Sequence, residues 1–415
     1  MASRRYVRSL RPVLAVLAAA LVGAAAHAAG ATQVIYSFAG DEDGEYTDTE
    51  LVIDGGGNLY GTSVQGGDFS SGTVFQLAPS AGAWIHTVLY SFKGETDGGE
   101  PYKGVTLDPK GNLYGTAGVG GLYVGPCIDT GCGVVFKLTN SGGVWTQTVI
   151  HSFTGGHDGY GPGAGVTVDR HGNIYGMTPT GGAYGFGIVY LLQPNGSGPY
   201  VERVIHTFTG GADGLGGSPG RLVVDAAGNV FGVSTAGGAN GNGDVFELTP
   251  TQTGEWQVTV LYAFKGEPGS GFPYGALVAD TKGNLYGTTY YAGANDLGTI
   301  YRLSRRNNLW VQTGIYNFKG GTDGASPLST LVAGADGSLY GTTSEGGAAC
   351  SCGTIFRLTP SDTGVAYAVM YRFKGPPDGA YLYNGMVADS TGTTFYGATV
   401  HGGVSGEGAI YQFTP

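Results

Sequence analysis

An aromatic-x-Phe signature, most often with Ser or Thr at the middle position, recurs along almost the whole chain. Its phenylalanines are Phe38, Phe92, Phe153, Phe208, Phe264, Phe318 and Phe373, spaced by about 54 to 61 residues. A fixed period of this length marks a repeat architecture, and seven copies leave no span for a second domain. Inside each copy four short runs alternate apolar and polar residues between Gly, Asp, Asn and Pro clusters, which is the pattern of half-buried strands. In the second copy the runs are 88–92, 104–108, 112–116 and 133–138. Four antiparallel strands per copy and seven copies predict an all-β, seven-bladed β-propeller over residues 33–415. A linear solenoid is the competing architecture. The repeat opens with an outermost-type strand at 34–38 and stops after a third-type strand at 408–413, so a closed ring is expected, with the N-terminal strand completing the last blade. An open array would leave both edges free to pair with other chains.

Each repeated position has a physical cause. The turn Asp54-Gly-Gly-Gly-Asn58 recurs at 108–112, 169–173, 225–229 and 280–284, where Asp can bond the backbone two residues on and Gly supplies positive φ. The sixth copy has Gly334 and Ser338 there, so the side-chain bond is expected to be dispensable. A Gly follows a strand aromatic in every copy (Tyr60-Gly61 through Tyr396-Gly397), which suits a bulge or a close approach of a neighbour. Trp84, Trp145, Trp256 and Trp310, with Tyr200 and Tyr367 replacing them in two copies, read as cover for the blade rim.

These motifs together, a DG-containing loop, Asp-x-x-Gly-Asn-Leu-Tyr-Gly-Thr, Gly-Gly and Gly-Thr-Val-Phe-x-Leu-x-Pro, resemble the GloVer (Gloeobacter/Verrucomicrobia) tandem repeat family over residues 33–415. The resemblance implies an exported bacterial protein, in many members carrying a C-terminal surface anchor, and it implies no particular activity. This chain runs to Pro415 directly after its last strand, and no anchor is expected.

Residues 1–28 read as a signal peptide: Arg4, Arg5, Arg8 and Arg11 precede an apolar, Ala-rich run that ends in Ala26-His27-Ala28. The expectation is cleavage after Ala28, a short tail over 29–32, and a periplasmic or extracellular location in a bacterium. The run is shorter than the ~20 apolar residues of a membrane span, so no membrane insertion is expected. Removing the segment with its four arginines takes the net charge from -11 to about -15, which makes nucleic acid a poor partner. Export permits disulfides, and Cys127 with Cys132 and Cys350 with Cys352 are the expected local pairs.

No common catalytic constellation stands out. The loop carboxylates Asp43, Asp97, Asp158, Asp213, Asp323 and Asp378 recur in six of the seven copies, the fifth lacking the Asp. Calcium wants six to eight oxygens in one cage, so these read as turn formers and no metal or other cofactor is expected. His151 and His206 fill a slot held by tyrosine elsewhere and read as packing. Gly216-Gly-Ser-Pro-Gly220 matches G-x-S-x-G, but no helix follows it. Individuality must come from positions that break the repeat. At the start of the innermost strand these are Asp48, Glu50, Tyr102, Lys103, Arg221, Tyr274, Tyr383 and Asn384, with an ion pair expected between Glu50 and Lys103. The leading expectation is a monomeric, non-catalytic module that binds a glycan, peptide or protein on the longer-loop face. The alternative is a sugar-directed enzyme, lactonase-like or polysaccharide lyase-like, which would need Asp48, Glu50 and Asn384 to converge on one point.

Overall fold

The alternating runs of the first copy form one complete sheet, Val52–Ile53, Leu59–Ser63, Thr73–Ser80 and Ala83–Ser91, hydrogen-bonded in that order from the channel outwards. The same order repeats around a ring in the computed structural model, which describes residues 30–415 apart from 218–219, 267–268, 308 and 362–363. Seven antiparallel sheets result. The segment read as a signal peptide lies outside the described residues.

The seventh blade takes Val387–Ala388, Phe395–Thr399 and Ala409–Thr414 from the end of the chain and Ala31–Ser37 from its beginning. The pairing runs from Ala31 opposite Thr414 to Ser37 opposite Ala409, with one irregularity between Val34 and Tyr36. The ring is therefore closed as expected.

The signature phenylalanine holds neighbouring blades together. All seven are fully buried, and each meets edge-on an aromatic ring of the next blade. The centroids of Phe92 and Phe136 are 5.0 Å apart, and those of Phe373 and Tyr411 are 5.1 Å apart. Burial of such a ring contributes ~1.5–3 kcal/mol. The strand glycine that recurs in each copy makes room for the partner ring. Gly61 stands directly opposite Phe75, and a Cβ on it would come within 2.7 Å of the Phe75 ring.

The tryptophans stand at the start of the outer strands, Trp84 opposite Pro79 and Trp145 opposite Asn140. They pack on the preceding blade, Trp84 against Tyr396 and Trp145 against Tyr60. Three local expectations change. In blade six the equivalent register belongs to Val365, opposite Pro360, while Tyr367 stands two residues further on. Blade five carries a fifth strand, Ser270–Pro273: the loop that lacks the repeated Asp closes its turn through the backbone alone, Gly266 N–H to the Ser270 carbonyl, and then pairs with Leu285–Ala292. In the sixth tight turn the side-chain bond is relocated, not lost. Asp336 accepts from the Ser338 N–H and the Tyr340 hydroxyl.

Both predicted disulfides are formed, Cys127–Cys132 and Cys350–Cys352. No helix among the described residues is long and apolar enough to cross a membrane.

Candidate functional site at the mouth and throat of the channel

Every blade enters its innermost strand through a residue with positive φ, eight positions before the first residue of the tight turn. These are Tyr46, Glu100, Gly161, Gly217, Phe272, Ser326 and Tyr381. This kink turns the chain from the loop face down into the channel, so residues two and four positions later form successive layers along the wall. The upper layer holds Asp48, Tyr102, Tyr274 and Tyr383. The lower layer holds Glu50, Arg221 and Thr330.

The lower layer closes the throat. Arg221, from blade four, reaches blade one, where its Nε donates to Glu50 Oε2 at 2.9 Å. Its terminal nitrogens donate to the Val105 carbonyl at 2.9 Å, the Lys103 carbonyl at 3.2 Å and the Thr106 hydroxyl, all in blade two. Gly165 makes space for this crossing, since a Cβ there would lie 2.8 Å from Arg221 Nε. The other oxygen of Glu50 accepts from the Thr330 hydroxyl of blade six at 2.9 Å. One guanidinium and one carboxylate thus tie four blades across the axis.

Above them, Lys103 is 6% exposed. Its ammonium donates to Asp48 Oδ1 and Oδ2 at 2.9 and 3.0 Å and to Asn384 Oδ1 at 3.1 Å, while Asn384 Nδ2 donates to Asp48 Oδ1. Burial opposes the charge on Lys103, but the neighbouring Asp48 carboxylate outweighs it and holds the amine pKa above its ordinary value. Lys103 itself has φ +61. No other blade has a positive φ at that position, so the backbone is bent there to aim this one side chain.

Tyrosines surround this floor. The Tyr102 hydroxyl donates to Glu100 at 3.0 Å, and burial and then the Glu100 charge push its pKa up to about 12. Tyr274 packs 6.1 Å from Tyr290. Tyr383 packs 6.4 Å from Tyr381. The Tyr383 pKa is raised by burial first and then by Asp48, Tyr381, Glu345 and Tyr274. Tyr290 is raised by its bond to Tyr291, by burial and by Glu345 and Tyr383. These mutual influences place residues of blades one, two, five, six and seven around one opening.

All eight residues singled out in the sequence therefore meet at the channel. The expected pairing was wrong: Lys103 pairs with Asp48, and Glu50 pairs with Arg221. Lys103 and Asn384 are both buried between the blades. Thr106, Thr330 and Tyr290 were missed. Thr106, in a strand, and Thr330, just before one, are ordinary threonines whose partners lie 115 and 280 positions away.

The loop carboxylates do close turns. Asp43 accepts from the Ala39 N–H and the Tyr36 hydroxyl, and Asp97 from the Lys93 N–H and the Tyr90 hydroxyl. A different carboxylate, Asp244, escaped notice. Its slot holds Thr73, Thr299 and Thr354 in three blades, each bonded to a hydroxyl of the adjoining strand, and Val134, Ile188 and Ala409 in the other three. Asp244 is fully buried with no partner on either oxygen. Burial and then nearby Asp213 push its pKa up to about 7.

Two open hollows lie off the axis. One, of about 630 Å³, is lined by Glu42, Asp68, Phe69 and Tyr90 among others, and one of about 390 Å³ by Pro126, His157 and Tyr160 among others.

Seven blades closed by a two-ended sheet make this protein a β-propeller. The Gloeobacter/Verrucomicrobia repeat matches residues 22–128, 127–352 and 253–415, and the chain belongs to that family. No curated protein matches it in sequence. Among solved structures it is similar to a candidate 6-phosphogluconolactonase from Bacteroides uniformis, with 13% identity, TM-score 0.53, and coverage of 82% of this chain and 89% of that one. A Lactobacillus plantarum protein gives 13% identity and TM-score 0.54 over 86% and 99%. A hypothetical selenium-binding protein from Sulfolobus tokodaii gives 10% identity and TM-score 0.53 over 85% and 82%. At these identities the likeness concerns the fold alone.

Proposed function

We propose that this protein is an exported, non-catalytic binding propeller that takes an uncharged glycan at the tyrosine-lined mouth of its channel. The observation that carries the reading is the pairing of the throat. Asp48 is occupied by Lys103 and Asn384, and Glu50 by Arg221 and Thr330. A ligand entering from the loop face meets a floor whose charges already have partners and a wall of phenol rings. Such a cup suits a neutral polyhydroxy molecule that stacks on ring faces and exchanges hydrogen bonds with hydroxyls. An enzyme acting on sugars would need a carboxylate or a metal cage aimed at the ligand. The Lys103 ammonium stands where Asp48 and Asn384 could have held a cation, and Glu50 is turned away to Arg221. The two disulfides fit an oxidising compartment outside the cytoplasm.

The test is a calorimetric screen of neutral oligosaccharides and cell-wall fragments against the wild type and the Tyr102→Ala/Tyr383→Ala double variant. The expected result is binding that the double substitution weakens by at least about tenfold, which is about 1.4 kcal/mol, with Tm nearly unchanged. Undiminished binding would move the site elsewhere, and turnover of a sugar lactone by the wild type would overturn the non-catalytic reading.

A further inference from the structure

Where two blades meet at the outer edge, three positions converge. One is the ring two residues before the signature Phe, one is the Asp of the following loop, and one is a residue on the next outer strand. At the first junction these are Tyr90, Asp97 and Gln147, and Gln147 donates to the Asp97 carbonyl at 3.0 Å. Between blades five and six they are Tyr316, Asp323 and Tyr367, with the two rings stacked at 3.8 Å. Between blades seven and one His86 stacks on Tyr36 at 4.4 Å. In each case the slot is filled by ring packing or a neutral hydrogen bond.

The junction of blades two and three differs. Its three positions are His151, Asp158 and Glu202, and their ligand atoms lie within 4.8 Å of one another. His151 Nε2 is 3.8 Å from Asp158 Oδ2 and 3.8 Å from Glu202 Oε2. These distances are too long for hydrogen bonds. His151 Nε2 and Glu202 Oε1 are buried without a hydrogen-bond partner. Among the described residues this is the one group of three such side chains placed to hold a metal ion.

We propose that His151, Asp158 and Glu202 form a binding site for a divalent transition metal, zinc in the first instance, that clips the outer strands of blades two and three together. Tetrahedral zinc with bonds of ~2.1 Å holds its ligand atoms about 3.4 Å apart. The observed spacing needs only a small inward movement of each side chain. One imidazole and two carboxylates are a ligand set zinc accepts, with water completing the coordination. The metal would give the unpartnered nitrogen and oxygen a shared partner. The Asp158 carboxylate is already oriented by the Thr154 N–H at 2.7 Å and the Thr154 hydroxyl at 2.6 Å, as a ligand's outer contacts should be. The same loop packs on the Cys127–Cys132 disulfide, since a Cβ on Gly155 would lie 2.9 Å from Cys127 Sγ. The junction would then carry a metal clip beside a covalent one.

The experiment is zinc chloride titration of the untagged, metal-stripped protein by calorimetry, with thermal melts in parallel. One equivalent should bind and raise Tm. Glu202→Gln and His151→Tyr, the latter the residue other blades use, should each weaken binding on the order of 100-fold or more and abolish the rise in Tm. His206→Tyr should change neither, because its junction has Val258 in the third position. If His151→Tyr does not fold, Glu202→Gln carries the test. Absence of zinc binding to the wild type, or binding that survives Glu202→Gln, would overturn the proposal.

Discussion

The tight-turn face and the channel throat both hold hydrogen-bonded carboxylates, but they satisfy them over different lengths of chain. Asp108 accepts from the N–H groups of Lys110 and Asn112, the Asn112 amide and the Tyr114 hydroxyl, all within six residues. Burial works against its charge, yet these donors hold its pKa below the usual value. The same set recurs in full at Asp54 and Asp280 and, for its backbone and amide donors, at Asp169 and Asp225. In the throat, Asp48 and Glu50 take partners from blades two, four, six and seven, 55 to 336 positions away. A locally satisfied group can be copied from blade to blade. A group satisfied across the axis can exist only once.

The sharpest way to break this contrast is to empty one side of a throat pair. Lys103→Met leaves Asp48 with Asn384 alone and should cost about 3–5 kcal/mol in urea unfolding. The double variant Lys103→Met/Asp48→Leu should recover most of that loss, because both charges are then gone. Equal losses for the single and double variants would mean that the unpaired Asp48 charge is not the source of the cost.

Asp244 belongs to neither regime, since it is buried with no hydrogen-bond partner, near or distant. Its folded pKa of about 7 lies above the ordinary 3.8. The folded protein therefore binds more protons than the unfolded chain between these values, and stability falls as pH rises from about 4 to 7 and stays low above. Asp244→Thr should stabilise by on the order of 2–4 kcal/mol at pH 8 and by little at pH 4. A gain independent of pH would assign the effect to packing.

The turn carboxylates should show smaller, separable effects. Asp108→Ala should cost about 1–2 kcal/mol, a loss that begins to shrink as pH falls below the ordinary carboxylate value, where the unfolded chain takes up the proton, and is smallest once the pH has passed the lower pKa of the folded state. Asp54→Ala and Asp108→Ala together should add to within ~0.5 kcal/mol. Strong non-additivity would show that the turns communicate between blades.

Architecture was readable because its signals are local and repeated. The Phe period, the Asp-x-x-Gly-Asn turns and the strand glycine each recur, and ring closure followed from which strand type stands at each end. Comparison of the copies also found the throat, since Asp48, Glu50, Lys103, Arg221 and Asn384 break the pattern. What it could not supply was who pairs with whom. Glu50 and Lys103 occupy adjacent blades, but their positions differ by one, and in a strand one residue changes the direction of the side chain. His151 was read as a tyrosine substitute, which is correct for its slot. Its relation to Glu202 is invisible until the slots of neighbouring blades are laid side by side.

Closing the ring with residues from both ends also sets an order of events in time. The strand Ala31–Ser37 has no partner until Ala409–Thr414 exists. At ~5–20 residues per second, roughly 20–75 s of synthesis separate the two halves of that sheet. During this interval six blades can build their own hairpins while the first strand waits with an open edge. A chain released before residue 409 would carry a lone strand at one end and an incomplete blade at the other. Truncation near the C-terminus should therefore harm the fold at residue 31 as much as at the cut.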